Sequence, residues 1–94
     1  MIFSMAIHHA HPGEALLTPQ QWEVIGKQFR LTRRELTVAV LIFEGKTRRQ
    51  VVRQTGCAPG TVRTYIDRLF AKLEVTDRLG MALRVVRVLL MPKK

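Results

Sequence analysis

Thr47–Leu73, TRRQVVRQTGCAPGTVRTYIDRLFAKL, decides the fold. Thr47 and Gln50 stand three residues apart, so each side chain can accept from the other's backbone N–H. That capping box opens a helix over 47–55. Gly56 stops it, because glycine adopts a left-handed backbone without steric cost. A second helix is predicted over 59–73, with Pro59 in its first turn. Val62, Ile66, Leu69 and Leu73 recur at i, i+4, i+7 and i+11, the spacing of one helical face; Tyr65 and Phe70 flank that stripe. Two helices joined by so short a turn cross steeply enough for the second to project from the surface. Val51, Val52, Cys57 and Val62 are small or medium apolar groups that fit inside such a corner.

The outward face of 59–73 carries different chemistry. Gly60, Thr61, Arg63 and Thr64 come first, and the second helix of a helix-turn-helix enters a DNA major groove with its N-terminal part foremost. Arg63 can donate twice to guanine O6 and N7, and Thr64 offers a hydroxyl or a methyl to a base edge. One turn on, Asp67 and Arg68 share that general face. Asp67 is expected to pair with Arg63 one turn back; the alternative is that it accepts from cytosine N4. At the start of 47–55, the backbone N–H groups with Arg48 and Arg49 suit phosphate.

Three further helices are predicted around this unit. Over 18–29, Thr18 and Gln21 form a capping box, Pro19 suits the first helical position, and Trp22, Ile25 and Phe29 recur at helical spacing with Val24 beside them; Gly26 is expected to shorten or bend it. Core packing is the expected role of Trp22, and a second chain is the alternative. Over 32–45, Thr32 and Glu35 form the box, Gly45 ends the helix, and Leu36, Ala39, Val40 and Phe43 form a face that Val38, Leu41 and Ile42 broaden. The last helix runs from Thr76 or Asp77 to about Met91, before Pro92. Its apolar residues exceed what one domain-facing stripe needs. No strand pattern appears, so the chain reads as all-α.

The chain has 94 residues, 47% of them hydrophobic, which fits one compact domain with a small core. Its net charge of +9 is unevenly placed. All 16 Lys and Arg fall in 27–94, which holds Glu35, Glu44, Asp67, Glu74 and Asp77 as its acids. Such a field suits a polyanion, nucleic acid before an anionic membrane. The single cysteine excludes an internal disulfide and is expected to be a core residue. His8, His9 and His11 lack a convincing fourth ligand, so no metal is expected. No cofactor and no catalytic constellation is expected either. MIFSMAI is too short for a secretion signal or a membrane span, giving a cytoplasmic default without membrane attachment.

These residues resemble the DNA-binding domain of LuxR/GerE-type transcription regulators. The family's pieces stand here as Leu31–Glu35 (Leu-Thr-x-Arg-Glu), Glu44–Lys46 (acid-Gly-Lys), Gly60–Thr64 (Gly-Thr-Val-basic-Thr) and Lys72–Val75 (Lys-Leu-x-Val). The match covers roughly 31–90. The resemblance implies a four-helix helix-turn-helix domain, here 31–91, whose third helix 59–73 reads the major groove. One additional N-terminal helix, 18–30, and a mobile segment, 1–17, precede it. It places Arg63, Thr64 and Asp67 at bases, and Thr47, Arg48, Arg49, Thr61, Arg68 and Lys72 near phosphates. It also implies a homodimer through helix 77–90, with Met81, Val85, Val88 and Leu89 at the interface. When bound to DNA, such a regulator is associated with the nucleoid.

The chain departs from the family pattern in places. Ala58 stands where Ser or Thr usually caps the reading helix, Val52 and Thr55 alter the helix crossing, and Gly80 replaces a usual Glu. Residues 1–30 are too few for a receiver or ligand-binding domain, so a stand-alone regulator is expected, with a possible protein partner through the N-terminal helix. The competing readings are a protein-interaction module for a transcription regulator or polymerase, and a promoter-binding region like that of a sigma factor.

Overall fold

The computed structural model describes residues 16–91. The expectations for the first fifteen residues, including the three histidines, lie outside the described residues. Five helices follow in order: α1 Pro19–Gln28, α2 Arg33–Phe43, α3 Arg48–Thr55, α4 Pro59–Leu73 and α5 Arg78–Leu90. No strand occurs among the described residues. The all-α reading with an additional N-terminal helix is what the chain adopts.

The starts of α1, α2 and α3 are local chemistry. Thr18, Thr32 and Thr47 each accept from the N–H three residues on, and Gln21, Glu35 and Gln50 return the bond to the cap N–H. The return bonds run 2.8, 2.9 and 2.8 Å. Each capping Thr keeps an extended backbone, so these helices begin one residue later than the sequence boundaries. Asp77 caps α5 by accepting from Gly80 N–H at 2.7 Å. Gly56 takes φ +73° and Gly45 φ +88°, both left-handed. Gly26 leaves α1 a continuous helix of 10 residues. A Cβ there would stand 3.5 Å from the Leu36 side chain, an ordinary contact distance, so the packing of α1 on α2 does not require glycine at this position.

α2 is the central element, packed on the other four. Ile25, Val51, Val62, Leu69, Leu73, Met81 and Val85 are fully buried around Val38 and Ala39. The Val62, Ile66, Leu69, Leu73 stripe therefore faces inward as its spacing requires. α1 packs against α2 and α5. Trp22 is buried and meets the Phe43 ring edge-on, centroids 5.4 Å apart at 87°. Such pairs add about 0.5–1.5 kcal/mol beyond area burial. Trp22 and Ile25, expected as a stripe for the domain or a mate, are thus occupied by the chain's own core. No helix among the described residues is long and apolar enough to cross a membrane.

One expectation is corrected here. Met81 and Val85 are fully buried, and Val88 and Leu89 pack against the same core, so these four hold α5 to its own domain. Leu79, Leu83, Val86 and Leu90 lie on the other side, 68%, 61%, 37% and 74% exposed. The excess apolar surface is real, but it belongs to that stripe. Two apolar stripes of similar spacing share one helix, and packing against α1, α2 and α4 selects which one faces inward.

Candidate nucleic-acid interface

α3 and α4 meet at Gly56-Cys57-Ala58, and α3 turns in Val51 while Arg48, Arg49 and Arg53 stay exposed. Thr47 is exposed too, and its hydroxyl oxygen accepts from Gln50 N–H at 3.1 Å, which leaves its proton for an outside acceptor. Along α4, Gly60, Thr61, Arg63, Thr64, Asp67 and Arg68 are all exposed. The Thr64 hydroxyl donates back to Gly60 C=O at 3.1 Å. That bond uses the hydroxyl proton and keeps the oxygen as an acceptor.

Ala58 precedes α4 with extended backbone (φ −64°, ψ 153°) and no side-chain cap. Among the five described helices, α4 alone starts without one. The absent bond is worth about 1 kcal/mol, and the first amides of α4 have no side-chain cap.

The expected Arg63–Asp67 pair does not form. The ion pairs among the described residues are Lys72–Glu35 and Arg84–Glu74. An i, i+4 pair on a solvated face gains only about 0.3–0.5 kcal/mol, too little to hold two mobile side chains together. Both groups stand free on the outward face of α4.

Lys72 is a second correction. Its ammonium donates to Glu35 Oε1 at 2.7 Å and to Arg30 C=O at 2.9 Å. Two of its three protons are thereby engaged inside the protein, so it clasps the end of α4 to the start of α2 rather than standing ready for a phosphate. Arg30 adopts φ +55° to present that carbonyl. The Glu35 side chain is only 3% exposed. Burial pushes its carboxyl up, but the bond from Lys72, the N–H of Thr32 and the Lys72 charge outweigh burial and hold it below the usual carboxylate range.

Arg34 was not singled out by sequence. It is exposed, and its guanidinium reaches Cys57 Sγ at 3.8 Å, so it stands at the corner where α4 begins. Only the packing of α2 on α4 brings them together, 23 residues apart in the chain. Cys57 itself is half-buried in the turn, as a small core residue would be. Arg34 of α2 is therefore a basic group at this corner, in addition to the exposed Arg48, Arg49 and Arg53 of α3. No group of three or more His, Cys, Asp or Glu among the described residues forms a metal site.

This arrangement is that of a helix-turn-helix with a basic surround. The model for "Bacterial regulatory proteins, luxR family" matches residues 30–85, and the chain belongs to that family. It is 39% identical over 61 residues to the uncharacterized transcriptional regulatory protein YhcZ of Bacillus subtilis (strain 168), covering 65% of this chain and 28% of the relative. It is 42% identical over 48 residues to the transcriptional regulatory protein LiaR of the same organism, covering 51% and 23%. With the transcriptional regulatory protein DesR, also from that organism, it shares 32% over 75 residues, covering 79% and 38%. The chain thus spans well under half the length of these curated relatives. No solved structure is a significant match.

Proposed function

We propose that the chain binds duplex DNA sequence-specifically and regulates transcription, with α4 in the major groove. The observation that carries this reading is the front of α4: exposed, without a side-chain cap, with Arg34 at the turn before it and Arg48, Arg49 and Arg53 exposed on the preceding helix. Arg63 and Thr64 address base edges. Thr47, Arg48, Arg49, Thr61 and Arg68 address phosphates, which position the helix without reading sequence. The names of the relatives accord with this role, and so does a site in the bacterial cytoplasm.

The proposal includes a homodimer. Leu79, Leu83, Val86 and Leu90 follow a 4-3-4 spacing, the seam by which two helices pack together. A two-fold dimer binds two half-sites about one helical turn apart. The test is duplex binding measured at several salt concentrations. Arg63→Ala is expected to cost about 1–3 kcal/mol at one base position, and Arg49→Ala to weaken all sequences alike and reduce the salt slope by about one. If both variants match the parent on every duplex, α4 is not in the groove. Leu83→Glu is expected to give monomers by sedimentation; a dimer that survives it would place the interface elsewhere.

A further inference from the structure

Asp67 is the only acid on α4, and it stands free in the middle of a face otherwise basic or hydroxylic. Near DNA phosphates a bare carboxylate is repelled, and in a groove it loses water. Neither cost is offset by an ion-pair partner among the described residues, because the Arg63–Asp67 pair does not form and the pairs seen there lie elsewhere. The arrangement is favourable only where the nucleic acid itself supplies a donor.

On the floor of the major groove the donors are the amino groups of cytosine and adenine. Adenine N6 lies beside N7, an acceptor that repels the second carboxylate oxygen. Cytosine N4 has a C–H on its own ring beside it, so a carboxylate suits cytosine, whereas an amide suits the donor–acceptor pair of adenine. Asp67 lies four residues from Arg63, about 6 Å along the helix, which corresponds to one or two base steps of about 3.4 Å.

We propose that Asp67 is a specificity-determining residue that accepts a hydrogen bond from cytosine N4, one or two base steps from the guanine read by Arg63. This rests on α4 occupying the major groove. Asp67 then acts as a filter: guanine and thymine present acceptors at that step and are rejected by like polarity, so the residue narrows the choice of site while lowering affinity for DNA at large.

The experiment is selection from a random duplex library by the full chain at one stated salt concentration, run for the parent, Asp67→Asn and Asp67→Ala. The parent is expected to select cytosine at one position of each half-site, about tenfold or more over the other bases. Asp67→Asn is expected to move that preference to adenine. Asp67→Ala is expected to lose it while keeping the guanine that depends on Arg63, and to bind random duplex more tightly. If Asp67→Ala gains affinity with the selected sequence unchanged, Asp67 is merely a repulsive charge and the inference falls while groove binding stands. If the parent shows no salt-sensitive duplex binding at all, the groove assignment fails and takes this inference with it.

Discussion

The two ends of α4 use charge in opposite ways. At the front, Ala58 offers no cap, and Arg63, Thr64 and Asp67 face solvent without partners on other elements. At the back, Lys72 is bonded to Glu35 and to Arg30 C=O, and Glu74 in the left-handed cap accepts from Arg84 at 3.2 Å. Arg84 also lies over the Phe29 ring, 5.7 Å from its centroid. The front is therefore held by apolar packing, Val62 and Ile66 with Tyr65 beside them, while the far end is also tied by charge to α2 and α5. Under the proposed groove binding, α4 gains from this division. Its free donors and acceptors are kept for the ligand, and its direction is fixed from behind.

The sharpest way to break the comparison is Lys72→Met. Glu35 would stay buried with its charge uncompensated, and the expected loss is about 3 kcal/mol, the low end for breaking a buried pair because Lys72 is partly exposed. Urea denaturation measures it. Where the variant still folds, its salt slope for duplex binding should equal the parent's; a slope lower by a full phosphate contact would return Lys72 to the DNA interface. Ala58→Ser probes the other end. It should raise stability by about 1 kcal/mol, since the backbone already has the extended cap geometry. A serine that stabilises nothing would mean that the front amides are satisfied in another way. Arg84→Ala should cost at most about 1 kcal/mol, because Glu74 is 78% exposed. A much larger loss would make Arg84, rather than Lys72, the main tie of the far end.

The gentlest probe is acid. Glu35 titrates below the usual carboxylate range when folded, so the stability it contributes is fully present above the unfolded value. It is lost as pH falls through the folded value. The parent should thus lose denaturation midpoint on going from neutral to strongly acid pH, and Glu35→Gln should lose less. Equal slopes would show that other carboxylates dominate the acid response.

What could be read from sequence follows the range of each interaction. The three threonine boxes act over three residues, so Thr18, Thr32 and Thr47 announced their helices, and Gly45 and Gly56 their ends. The inward stripe of α4 was legible because only one of its faces is apolar. α5 was not, because Met81, Val85, Val88 and Leu89 and the stripe of Leu79, Leu83, Val86 and Leu90 have nearly the same period. Choosing between them requires knowing what packs on the helix. Lys72 and Glu35 are 37 residues apart, and no local pattern links them. The front of α4 was read by its residue types, but the freedom of Asp67 and the approach of Arg34 became visible only in three dimensions.

Trp22 has one more consequence. It is the only tryptophan in the chain, buried on α1 against Phe43 of α2. α1 packs on α2 and α5, not on α3 or α4. The molecule thus carries a built-in fluorophore set apart from the helices proposed to meet the duplex. Its emission should shift to the red when the core opens and stay unchanged when DNA is bound. A variant that loses binding can be sorted by that signal alone into one that has unfolded and one that has lost a contact.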